Sequence, residues 1–116
     1  MIRTIVAFLP LVLWAAAVFA VGGLEEVPVP RLPRYADKVG HFIMYGVGGA
    51  LAAWAGRIHG RGGGLAGLCF VIILGALDEY RQTMIPTRHG DVWDWVADAA
   101  GAIVFYLVTA RLLRRR

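Results

Sequence analysis

Residues 4–24 read TIVAFLPLVLWAAAVFAVGGL, a run without a charged side chain. A bilayer core takes about 20 consecutive apolar residues as one helix, so this stretch reads as a membrane span, with Pro10 as a point of bending. Val18-Phe19-Ala20 also has the form of a signal-peptidase site. Against cleavage, the run is long for a signal peptide and only Arg3 precedes it. Removal of residues 1–20 would leave the orientation of the remaining spans unchanged. Three further segments have the same character, at about 39–56, 63–82 and 92–113; the third is apolar to Leu77 and continues as a polar helix to Gln82. Of the 116 residues 59% are apolar and 17% charged, and the mean hydropathy is +0.63. That is too apolar for an ordinary soluble domain and the opposite of a disordered chain. The expected fold is all-α: an integral membrane bundle of four transmembrane helices forming one domain over residues 1–116.

The net charge is +4. On a soluble protein such a balance would suggest nucleic acid, but here the basic residues flank apolar runs, so no nucleic-acid partner is expected. Arg3, the Arg57-to-Arg61 loop with His59, and the C-terminal Arg111, Arg114, Arg115 and Arg116 fall on one side of a four-span chain. The positive-inside rule makes that side cytoplasmic, with both termini there. The loops Glu25–Lys38 and Asp78–Asp91 then face outward. Cys69 stands alone inside an apolar run, without a disulfide or soft metal partner, and reads as a small hydrophobe. Gly46 with Ala50, Gly49 with Ala53, Gly63 with Gly67 and Ala97 with Gly101 are small pairs four apart, which permit close helix approach in lipid. Three prolines make residues 27–33 an extended connector.

Ionisable residues gather at the outer ends of the spans. Asp37, His41 and Tyr45 are four apart and share one helix face. Asp78, Glu79, Arg81 and Gln82 close the third span, with Glu79 and Gln82 three apart. Asp91, Asp94 and Asp98 open the fourth, flanked by Trp93 and Trp95 as in an interfacial belt. A charge inside a span costs roughly 2.5–3.5 kcal/mol at the helix centre, so His41 and Asp98, about a turn inside, need partners. Lys38, Arg81 and Arg88 are the cations within sequence reach. Acids at the start of the fourth helix also complement its dipole, and Pro86 to Gly90 makes a turn whose Arg88 can grip a phosphate or carboxylate by two prongs. The cluster reads either as a network pinning helix ends or as a pocket lined by Asp37, Lys38, His41, Tyr45, Glu79, Gln82, Arg88, Asp91, Asp94 and Asp98.

Nucleophilic catalysis finds little support. The chain has no serine, and Cys69 sits mid-span, away from acids and histidines. The glycines at 60–64 lack the lysine of a phosphate loop. No cofactor is expected, and a metal on His41 with Glu79 or Asp98 is the weaker reading. General acid–base work by His41 or Glu79 is chemically reasonable.

At these residues the chain resembles the VanZ-like family of small bacterial membrane proteins. One block is Asp37-Lys38-x-x-His41-x-x-x-Tyr45. The other runs from Gly75 through Glu79-x-x-Gln82 and Pro86-x-Arg88 to Asp91, Asp94, Asp98 and Gly101. Together they cover residues 37–101. Asp98 stands where the family often has Asn. The resemblance implies a bacterial plasma-membrane location and an association with low-level resistance to the glycopeptide teicoplanin. Three functional readings follow. The protein binds a lipid headgroup, a lipid-linked cell-wall precursor or a glycopeptide at its outer pocket; or it is an enzyme acting on outer-leaflet lipid phosphates; or it is a structural membrane protein that works through a partner. A chain this small also leaves room for a site formed between two copies.

Overall fold

The computed structural model describes residues 1–22, 34–86 and 90–116; the connector expected at 27–33 lies outside them. Four helices follow one another: α1 Ile2–Gly22, α2 Arg34–His59, α3 Arg61–Gln82 and α4 Val92–Arg114. A helix satisfies its own backbone hydrogen bonds, which lipid cannot do. The all-α architecture is therefore what this composition requires. Three helices, α1, α3 and α4, are long and apolar enough to cross a membrane. The remaining helix, α2, has 26 residues, long enough to cross, but it carries Asp37, Lys38 and His41, and five glycines dilute its apolar content. Helix α1 continues through Pro10.

Adjacent helices are antiparallel. His59 at the end of α2 meets Thr4 near the start of α1 at 3.0 Å, while the Trp14 indole donates to the Met44 carbonyl further along. Gly60 joins α2 to α3 in a single residue, with φ of 85°, a conformation L side chains rarely adopt. The bundle extends 44 Å along its long axis, close to the ~40–45 Å of a bilayer with its headgroup regions.

Helices α2 and α4 share the most extensive contact, and glycine sets its depth. A Cβ on Gly49 would overlap the Ala102 carbonyl, and one on Gly101 would overlap the Phe42 carbonyl. The small-residue spacing thus brings backbone against backbone. Leu11, Val18, Tyr45, Val71 and Ala102 form the core between the helices. The outer surface is apolar, with Leu13, Ile73, Leu77, Leu107 and Val108 each more than half exposed. Cys69 is on that surface too. An apolar exterior around a core of small residues is the pattern of a bundle solvated by lipid.

A valine at Gly49 or Gly101 is expected to destabilise the bundle by about 1–3 kcal/mol through overpacking. Nothing lies within 4 Å of a Cβ built on Gly40, so Gly40→Ala should leave stability unchanged or raised. Thermal unfolding in detergent, followed by tryptophan fluorescence, separates the two classes.

Candidate functional site

The fold brings the start of α2, the end of α3 and the start of α4 to one end of the bundle. All the acids among the described residues are there: Asp37, Asp78, Glu79, Asp91, Asp94 and Asp98. The opposite end carries Arg3, Arg57, Arg61 and the C-terminal arginines.

Asp91 caps α4: its carboxylate accepts from the Trp93 N–H at 2.9 Å, as an N-cap aspartate does. Its own N–H donates to Glu79 Oε2 at 3.0 Å, tying α4 to α3. Lys38 ties α4 to α2. Its ammonium donates to Asp91 Oδ2 at 2.7 Å and to Asp94 Oδ1 at 2.6 Å. Lys38 lies just before the expected second span, and these bonds, the one to Asp91 first, hold its pKa above the ordinary lysine value.

One turn deeper, His41 Nδ1 lies 2.7 Å from Asp98 Oδ1. The other ring nitrogen faces Asp94 at 3.8 Å and Asp37 at 4.0 Å. Asp98 is 1% exposed and Glu79 7%, whereas the Asp37 side chain is 58% exposed and forms the rim. Tyr45 is fully buried beside them. Gly75 on α3 makes this possible, because a Cβ there would stand 3.2 Å from the Tyr45 ring and 3.3 Å from Asp98 Oδ2.

The site is not saturated. Among the described residues, the Tyr45 hydroxyl, Glu79 Oε1 and Asp98 Oδ2 are buried without a hydrogen-bond partner. Each such atom costs about 1–3 kcal/mol, more when charged. Two sets of side chains hold their ligand atoms within 4.8 Å of one another, Asp37–His41–Asp94 and His41–Glu79–Asp98. A groove of about 340 Å³ between α3 and α4 reaches Glu79 and Asp91 past Tyr80, Thr83, Val92 and Trp95. A second cavity of about 390 Å³ lies at the opposite end, lined by Arg57, Arg61, Tyr106 and Arg114 among others.

Of the residues singled out in the sequence, Asp37, Lys38, His41, Tyr45, Glu79, Asp91, Asp94 and Asp98 converge. Arg88 lies outside the described residues. Gln82 is buried with a different group: its amide donates to Asp78 Oδ2 at 3.4 Å. Asp78 in turn binds Arg81 at 2.7 Å. Arg81 does not reach Asp98. Its guanidinium donates to the Phe19 carbonyl and stacks 3.6 Å from the Phe19 ring centroid, clamping α3 to α1. The three-residue spacing of Asp78 and Arg81 was the available signal for this clamp. Nothing in the sequence points Arg81 toward α1. The groove also takes in Tyr80 and Trp95, for which the sequence carries no site signal, since aromatics at a span end read equally as interfacial anchors.

His41→Leu should destabilise the bundle by about 3 kcal/mol by leaving Asp98 buried without its partner. The double variant His41→Leu/Asp98→Leu should cost less than either single change, because the pair is replaced by apolar packing. Equilibrium unfolding in mixed detergent micelles reads the coupling directly.

No curated protein and no solved structure matches the chain. The VanZ/LLP1 family model matches residues 2–114, nearly the whole chain and all four helices. The bundle with its acid-rich end is thus a multi-pass membrane domain, and the chain belongs to the VanZ/LLP1 family.

Proposed function

We propose that this protein binds the polar headgroup of an outer-leaflet lipid, with lipid-linked cell-wall precursors as the fitting class. The observation that carries the reading is the groove between α3 and α4, which is lined in part by buried Glu79, whose Oε1 lacks a partner among the described residues. Tyr80 and Trp95 are among its lining residues, and such amphipathic rings suit the interfacial region of a bilayer. The unpartnered carboxylate oxygens accept hydrogen bonds, so hydroxyl-rich or amine-bearing headgroups match them. Arg88, placed by the sequence in the turn before α4, is the residue for a phosphate.

In this account all four helices cross the membrane, α2 included, because its polar first turns are neutralised by α4. The arginine-rich end lies in the cytoplasm and the acidic end faces outward. A glycopeptide carrying a lipid tail is a ligand of the same kind, and the family association with teicoplanin resistance agrees with it. A second reading is an enzyme acting on outer-leaflet lipid phosphates. What favours it is the 2.7 Å contact between His41 and Asp98, since a buried carboxylate beside an imidazole can orient it for proton transfer.

Purified wild type and Glu79→Ala, each incubated with a bacterial lipid extract and analysed by mass spectrometry, test the readings. Binding predicts a lipid retained unchanged by wild type and lost from the variant. A lipid chemically altered by wild type, and spared by His41→Gln, would establish the enzyme. If two folded proteins retain and alter nothing, both readings fail. For topology, a fluorescent protein fused after Arg116 should fluoresce and an alkaline phosphatase fused there should stay inactive.

A further inference from the structure

We infer that His41, Glu79 and Asp98 form a binding site for a single divalent cation of the Mn²⁺ type. The inference rests on three independent features of the site. The first is geometry. One ligand atom from each of the three residues lies within 4.8 Å of the others, a spacing that a single ion can bridge. The residues come from three different helices, α2, α3 and α4, so an ion there would join helix ends that the rest of the chain has already packed together.

The second is the pair of unsatisfied oxygens. Glu79 Oε1 and Asp98 Oδ2 have no hydrogen-bond partner among the described residues, and both side chains are more than nine-tenths buried. Glu79 uses its other oxygen for the Asp91 N–H; Asp98 uses its other oxygen for His41. Each carboxylate therefore keeps one free oxygen in a place that water reaches poorly.

The third is charge. Lys38 is committed to Asp91 and Asp94, and Arg81 to Asp78. Among the described residues, what remains beside Glu79 and Asp98 is His41. With both carboxylates ionised, even a protonated imidazole leaves the trio one negative charge in excess, and a neutral one leaves two. A divalent cation with a neutral imidazole and two carboxylates sums to zero. Buried charge persists only when paired or metal-bound, and the donor set, one imidazole and two carboxylates, suits Mn²⁺ and not a soft thiophilic ion.

The outer trio of Asp37, His41 and Asp94 is the less suitable seat. Asp37 is largely exposed, and Asp94 already holds Lys38. The inference also narrows the lipid reading while standing without it. Bare carboxylates repel a phosphate, and a cation on the inner trio would attract one.

The full-length chain in detergent, stripped of metal by a chelator and given Mn²⁺ alone without lipid, tests this. Free Mn²⁺ is read by electron paramagnetic resonance, and bound Mn²⁺ by electron spin echo modulation from ligand nitrogen. The expected result is one bound ion per chain with an imidazole nitrogen coupling. Glu79→Gln and Asp98→Asn should each weaken binding by about tenfold or more, and His41→Ala should remove the nitrogen signal. Asp37→Asn should change affinity by less than about twofold, as an exposed rim residue does. Helical circular dichroism and a single gel-filtration peak confirm that each variant is folded. Should Asp98→Asn fail to fold, Glu79→Gln and the wild-type nitrogen signal decide. Absence of stoichiometric binding by folded wild type overturns the inference. So does bound Mn²⁺ without nitrogen coupling. A loss of affinity in Asp37→Asn with none in Glu79→Gln would put the ion in the outer trio and likewise overturn it. Because no lipid is present, this result is independent of whether a headgroup binds.

Discussion

The bundle depends on the contact between buried Asp98 and His41 where α4 packs on α2. A carboxylate buried there without a partner would be costly, and so would an unpartnered imidazole. Their contact at 2.7 Å removes both costs at once, but only if α2 and α4 lie close. Gly49 and Gly101 supply the closeness by letting backbone meet backbone. The glycines and the His41–Asp98 contact are therefore two halves of one constraint: the first sets the distance that the second needs. Gly75 extends the arrangement to α3, where any side chain would crowd Tyr45 and Asp98.

A second layer of contacts fixes the same end from outside. Lys38 bridges to two aspartates of α4, the Asp91 N–H reaches Glu79, and Arg81 holds α1 through Phe19. Among the described residues, the opposite end has the His59–Thr4 contact and close packing of small residues such as Gly56 against Gly64. The polar end is thus both the better braced and the one with unmet hydrogen-bonding capacity. A purely structural network would be expected to satisfy its own buried atoms. Tyr45, Glu79 and Asp98 depart from that expectation together, and so does the Nε of Arg81 in the neighbouring clamp.

Much of this was legible in the residues. The apolar runs marked the four helices, because span length and charge exclusion are local properties. The four-residue spacing of Asp37, His41 and Tyr45, and the spacing of Asp91, Asp94 and Asp98, placed each set on one face, because helical periodicity is local as well. The pairing across helices was not legible. Lys38, Arg81 and Arg88 stood equally near the acids in sequence, and only packing shows that Lys38 serves α4 while Arg81 turns to α1. Gln82 looked like a neighbour of Glu79 by spacing, yet rotation of α3 gives it to Asp78. The polar content of α2 leaves it outside the three helices apolar enough to span, and its charges are met by residues over 50 positions away. The family resemblance drawn from residues 37–101 extends, in the family match, over residues 2–114.

The most direct test of this account is a solid-state nuclear magnetic resonance measurement in lipid bilayers, with the histidine nitrogens and aspartate carboxyl carbons isotopically labelled. The account predicts a dipolar coupling between a ring nitrogen of His41 and the carboxyl carbon of Asp98 that corresponds to direct contact and vanishes in His41→Leu. A folded protein in bilayers whose His41 nitrogens show no coupling to any buried carboxylate would contradict it.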